Sequence, residues 1–164
     1  MLHLIIGDGK GKTTAAAGLA VRAAGHGLPV LFVQFLKGDD SGEIRILKNT
    51  PCIEVLHSPV NYGFSFRMTQ QQLSETAGYY DEMMDRVIAS DAFLIVLDEA
   101  LHALKAGLLK PEKLEQVLKK DAEIVLTGAS APSDLTEKAD YISEIRKVRH
   151  PYDRGVAARE GVEF

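Results

Sequence analysis

Near its start the chain passes from an apolar run, Leu4-Ile5-Ile6, through Gly7-Asp8-Gly9-Lys10-Gly11-Lys12-Thr13-Thr14 and straight into Ala15-Ala16-Ala17-Gly18-Leu19-Ala20. Strand, glycine-rich turn and helix start follow one another with no residue to spare. That order is the sequence form of a phosphate cradle. Glycines let backbone N–H groups turn inward on an anion, and the helix N-terminus adds its positive end. Lys12 supplies a mobile charge for phosphate oxygens, and the Thr13 hydroxyl has the type and position of a Mg²⁺ ligand. The spacing is one residue short of the usual G-x-x-x-x-G-K-[ST]: Gly7 and Gly11 are too close together, and Ile6 holds the strict glycine position. A cradle of altered shape follows, and ordinary γ-phosphate chemistry is not implied. A glycine-rich turn without a ligand is the alternative; Gly11-Lys12-Thr13 in this strand-to-helix context favours phosphate.

With 164 residues, 46% hydrophobic and 26% charged, the chain has the size of one soluble globular domain spanning 1–164. A net charge of −4 argues against a nucleic-acid surface, which needs a basic stripe. The lone cysteine, Cys52, excludes an intrachain disulfide and fits a reducing compartment. No apolar run reaches membrane-spanning length, and Met1-Leu2-His3 leads into a strand with no signal region. The expected location is the cytoplasm.

Apolar runs alternate with helical patterns, as in parallel β-α-β units. Strands are expected at Leu2–Ile6, Val30–Phe35, Ile53–Leu56, Phe93–Leu97, Ile124–Thr127 and Tyr141–Ile145, continuous enough in apolar character for a sheet covered on both faces. The first helix spans about Lys12 to Ala24, stopping at Gly25. The longest opens on a capping box, Thr69-Gln70-Gln71-Gln72, and puts Leu73, Ala77, Tyr80, Met84, Val87 and Ile88 on one face. Met83 and Met84 read as core filler. Pro111 and Pro132 open further helices, and 38–50 and 59–68 read as loops.

In a parallel sheet the carboxyl ends of the strands share the edge where open α/β folds bind ligands. Four polar clusters fall there: the cradle, Gln34 with Lys37, Asp98-Glu99, and Thr127-Gly128-Ala129-Ser130. Asp98-Glu99 after an apolar strand resembles a Walker B pair, one carboxylate for Mg²⁺ and the other to orient ligand or water. A solvated acidic helix start is the other reading. No spacing among the five histidines suggests a metal site, and none is given a catalytic role. The loop Asn61-Tyr62-Gly63-Phe64-Ser65-Phe66 either tucks its aromatics into the core or offers a flat apolar wall to a large planar ligand.

Together these segments resemble the P-loop ATP:corrinoid adenosyltransferases. The resemblance rests on the cradle, Gly25-His26-Gly27, Val33-Gln34-Phe35-Leu36-Lys37-Gly38, Gly63-Phe64-Ser65-Phe66, Val96-Leu97-Asp98-Glu99, Thr127-Gly128, Ala139-Asp140, Val148-Arg149-His150-Pro151 and the stretch from Gly155 to Phe164. Three departures stand out. Phe66 replaces a usual Trp, Ala129 replaces a usual Arg, and the segment that many members carry before the first strand is expected to be absent.

The resemblance implies a RecA-like P-loop α/β domain with a six-stranded, mainly parallel sheet and helices on both faces, often paired as a homodimer. It implies attack by Co(I) of a reduced corrinoid on the 5′ carbon of ATP, releasing triphosphate, with an electron-donating reductase such as a flavoprotein as partner. On that reading Gly7, Asp8, Gly9, Lys10, Gly11, Lys12, Thr13 and Thr14 bind nucleotide. Thr13, Asp98 and Glu99 hold Mg²⁺ with ATP, Lys12 and Glu99 are catalytic, and Phe64 and Phe66 wall the corrin. No nucleic acid or membrane is involved. Without the resemblance, the residues also fit a P-loop ATPase or small-molecule kinase, or a non-catalytic nucleotide- or corrinoid-binding module.

Overall fold

A computed structural model describes residues 1–38, 41–63 and 65–163. The elements run β1 (Leu2–Ile6), α1 (Lys12–Gly25), β2 (Val30–Gln34), α2 (Gly42–Leu47), β3 (Ile53–His57), α3 (Gln70–Ala89), β4 (Leu94–Asp98), α4 (Ala100–Lys105), α5 (Pro111–Leu118), β5 (Glu123–Gly128), α6 (Ser133–Lys138) and β6 (Tyr141–Glu144). Short 3₁₀ turns occupy Ser65–Arg67 and Pro151–Arg154. The six strands form one sheet in the order β3-β2-β4-β5-β1-β6, every pairing parallel.

Period-two alternation assigns each strand residue to a face. Val30, Phe32, Leu94, Val96, Val125 and Ile5 pack under the alanines of α1 and against Ile44 and Leu47 of α2. Leu31, Val33, Ile95, Leu97, Ile124 and Leu126 meet Tyr80, Met84 and Val87 of α3 and the smaller helices α4, α5 and α6. Ala16, Ala17, Ala20 and Ala23 are the buried residues of α1, so this helix can approach the sheet closely. Both methionines of α3 are buried, as core filler should be.

The capping box closes: the Gln72 N–H donates to Thr69 Oγ1, and the Thr69 N–H donates to Gln72 Oε1. Pro111 is the first residue of α5, whereas Pro132 sits one residue ahead of α6. The expected loop at 38–50 contains α2 instead. That helix is only six residues long and anchors two of them, Ile44 and Leu47, in the core, so its stability comes from packing rather than from local signal.

Candidate functional site

Parallel register brings the four polar clusters together. Ile6 aligns with Gly128 and Gln34 with Asp98, so the residues following β1, β2, β4 and β5 converge at one edge. Asp98 lies at the centre, 0% exposed. Its carboxylate accepts from Thr13 Oγ1 at 3.0 Å, Thr127 Oγ1 at 2.7 Å, Gln34 Nε2 at 3.3 Å and Lys37 Nζ at 3.1 Å. Lys37 Nζ also donates to Thr13 Oγ1 at 2.6 Å and lies 3.5 Å from Glu99 Oε1. Burial by itself would lower the Lys37 ammonium, but the Asp98 and Glu99 carboxylates outweigh it and the net direction is up.

Glu99 adopts a left-handed backbone, φ 61°, where β4 gives way to α4. Its N–H donates to Thr127 Oγ1 at 2.8 Å, and its carboxylate binds His102 Nδ1. The Ala129 N–H donates to His102 Nε2 at 3.3 Å, which assigns the ring proton to Nδ1. His102 therefore braces Glu99, a connection that the sequence reading did not make. The i,i+3 spacing of Glu99 and His102 was its available signal.

The glycine-rich loop divides into two parts. Gly7 N–H donates to the Ala129 carbonyl at 3.0 Å and Gly9 N–H to the Ile145 carbonyl at 2.8 Å. A Cβ on Gly7 would collide with the Ile145 carbonyl, and one on Gly9 with the Arg146 backbone. These two glycines admit the segment just after β6, which braces the loop. Asp8 faces the same way, accepting from the Lys147 N–H at 2.8 Å, a bond that holds its carboxyl below the usual carboxylate range. The part of the loop with unpaired donors begins later. Gly11 has φ 117° with open space around it, and the first-turn amides of Lys12, Thr13 and Thr14 have no helical acceptor and no side-chain cap. Lys12 folds back to donate to the Gly9 carbonyl at 2.8 Å.

Two cavities open on this edge. One, about 530 Å³, is lined by Gly9 to Thr14, by Gly42, Glu43 and Ile46, and by Gly161, Val162 and Glu163 near the chain's end. Arg159 holds the Glu163 carboxyl low, and Lys10 adds to that pull. The other, about 560 Å³, is lined by Leu36, Gly63, Ser65, Phe66, His102, Lys105 and Ala106. Lys37 and Glu99 line both cavities. Phe66 is 78% exposed, so it does not tuck into the core. Phe64 lies outside the described residues.

The donor set suits Mg²⁺. A hydroxyl and two carboxylates meet, all hard oxygens, with an ammonium already among them as a cationic stand-in. Beside them Gln34, 1% exposed, keeps Oε1 without a partner, an acceptor suited to a metal-bound water. Gln34, Lys37 and Thr127, placed at this edge by the strand ends, thus turn out to bond directly to Asp98, and His102, to which sequence reading gave no role, joins them through Glu99.

A family model described as ATP:corrinoid adenosyltransferase BtuR/CobO/CobP matches residues 1–164. A corrinoid adenosyltransferase of Escherichia coli K12 is 35% identical, covering 100% of this chain and 85% of that protein. One from Pseudomonas aeruginosa is 34% identical over 96% of this chain and 80% of its own length. Corrinoid adenosyltransferase CobA of Salmonella typhimurium is 34% identical over 100% and 85%. Among solved structures, a KaiC-like protein of Pyrococcus horikoshii superposes with TM-score 0.51 at 16% identity, covering 88% of this chain and 71% of that one. That likeness speaks to the fold, a RecA-like P-loop architecture. Motifs, edge geometry and end-to-end relatives agree, and the chain belongs to the ATP:corrinoid adenosyltransferase family.

Proposed function

We propose that the two cavities hold the two substrates of the family's reaction, ATP against the glycine-rich loop and a reduced corrinoid beside Phe66. The observation that carries this is the shared wall: Lys37 and Glu99 line both cavities, so the groups that must react meet there. The family's reaction asks for no side-chain nucleophile, because the corrinoid supplies it. Co(I) of the corrinoid attacks the 5′ carbon of ATP, the C5′–O bond breaks, and triphosphate leaves with the bonding pair.

The whole triphosphate departs, so charge has to be met along its length. The loop from Gly7 to Thr14 does this. Lys10, Lys12 and the first-turn amides face the phosphates, while Gly7 and Asp8 act through the brace. Mg²⁺ held by Thr13, Asp98 and Glu99 would neutralise further charge on the leaving group. Glu99, fixed by His102, orients the ligand at the wall. Phe64 and Phe66 cover the lower face of the corrin and keep an axial ligand away, which eases reduction to Co(I).

The same reading places the chain in the cytoplasm as one domain, fed by an electron-donating reductase such as a flavoprotein. Among the described residues no helix is long and apolar enough to cross a membrane. It also pairs the chain as a homodimer: β6 is an edge strand with Tyr141 and Ile142 half exposed. Sedimentation tests the pairing.

The decisive assay is anaerobic incubation with chemically reduced cobalamin, ATP and Mg²⁺. Adenosylated corrinoid and inorganic triphosphate in equal amounts are expected. ADP with phosphate, or a phosphorylated second product, would replace this reading with ATPase or kinase chemistry.

A further inference from the structure

Thr13, Asp98 and Glu99, the three side chains given to the metal, all point at one ammonium. Lys37 Nζ is 2.6 Å from Thr13 Oγ1, 3.1 Å from Asp98 Oδ2 and 3.5 Å from Glu99 Oε1. We propose that Lys37 is a resident cation that holds the metal position until nucleotide arrives, making metal and triphosphate binding interdependent. The inference rests on the metal- and nucleotide-binding reading above and adds a binding logic to it.

Asp98 is fully buried, and a carboxylate so placed is costly without a countercharge. Lys37 supplies one in the nucleotide-free protein. Among the described residues no group of three or more His, Cys, Asp or Glu side chains forms a metal cage. A divalent ion here has two carboxylates and a hydroxyl from the protein and must complete its shell with phosphate oxygens and water. Arriving alone, it would have to expel the ammonium with no anion to receive it. Arriving with a triphosphate, it brings that anion, and Lys37 already lines the cavity where the phosphates bind. Lysine suits such an exchange, being a compact charge on a flexible stem. Its base is fixed, because the neighbouring Leu36 N–H donates to Tyr80 Oη at 2.6 Å, so movement is confined to the side chain.

Interdependence of this kind is reciprocal: ATP strengthens metal binding by the factor by which metal strengthens ATP binding. Removing the lysine charge should therefore move two affinities in opposite directions. Mn²⁺ is the probe, its free ion counted by electron paramagnetic resonance, with and without ATP and with no corrinoid present. Lys37→Met should bind Mn²⁺ alone about tenfold more tightly than wild type, since a like charge has left the site, and Mn²⁺·ATP about tenfold more weakly. Lys37→Arg, which keeps the charge, should hold Mn²⁺ alone no more tightly than wild type. Where Lys37→Met does not fold, Lys37→Gln, which keeps a donor for Asp98, gives the same comparison.

Unchanged or weaker Mn²⁺ binding without nucleotide in the uncharged variants would overturn the proposal, and the metal site would stand if wild type still binds Mn²⁺·ATP. Wild-type Mn²⁺·ATP binding by Asp98→Asn would overturn the proposal together with the metal site beneath it.

Discussion

Lys12 donates to the carbonyl of Gly9 within its own loop, so in the ligand-free protein its ammonium is held in place by a neutral acceptor. A phosphate oxygen is the stronger acceptor, since its negative charge adds a Coulombic attraction to the ammonium that a neutral carbonyl lacks. Lys12→Ala should leave circular dichroism and melting temperature near wild type and remove about 2–5 kcal/mol of leaving-group stabilisation. Turnover under saturating ATP measures this, and wild-type turnover would remove Lys12 from the cradle. Phe66 stands at the opposite limit, largely solvent-exposed and close to the Arg67 guanidinium, 5.6 Å from its ring centroid. Replacing Phe64 and Phe66 together with Ala should spare ATP binding, because the cradle is a different segment. It should sharply reduce the four-coordinate Co(II) signal of bound cob(II)alamin, and supplying Co(I) directly should restore much of the activity. An unchanged signal would mean that the pair does not cover the corrin. At this scale the sequence displayed the charges but not their partners. Asp98, Thr13 and Lys37 could be placed at one edge from strand ends alone, whereas their mutual bonds needed the register Gln34↔Asp98 and the reach of a loop from residue 37.

Helix α3 reaches the site through one hydroxyl. Tyr80, 2% exposed and edge-on to Phe35 at 4.8 Å, accepts the N–H of Leu36, whose backbone is left-handed at φ 57°. That bond fixes the turn from which Lys37 departs. Burial pushes the Tyr80 phenol above its usual 10.0, with the Leu36 bond pulling back by less. A raised folded value means that ionisation favours the unfolded chain, so the contribution is whole below pH 10.0 and lost as pH climbs through the raised value. Tyr80→Phe should cost about 1–3 kcal/mol at neutral pH by leaving an amide unpaired. Its deficit against wild type should shrink in strongly alkaline solution; denaturant titrations at both pH values test this, and a constant deficit would contradict the assignment. Strands and the long helix were legible as elements because their apolar runs and capping box are local properties. Helices α2 and α4 were not: at six residues each, they exist through burial of Ile44, Leu47, Ala100, Leu101 and Ala103 against distant parts of the chain. Likewise the glycines at 7 and 9 read as anion binders, while the backbone that actually crowds them arrives more than a hundred residues later.

Across the whole molecule, ligand binding and folding are linked, since a ligand that binds only the native state stabilises it. ATP with Mg²⁺ should raise the melting temperature, and Lys12→Ala should blunt that rise without moving the ligand-free value. The sheet order places β1, the strand that carries the glycine-rich loop, between β5 and β6 and beside no other strand. The chain's first strand therefore waits for its last two. Such long-range pairing is paid for in loop closure before it returns any contact, and it slows folding. During synthesis the strands β2, β3 and β4 can pair while the nascent chain still has no place to seat β1. Ribosome-stalled chains exposing residues only up to 122 should not retain ATP, and those exposing the chain through Glu163, which completes the cavity lining, should. The nucleotide should thus be excluded from the growing polypeptide until β5 and β6 have emerged to seat β1, so that translation itself times the birth of the enzyme.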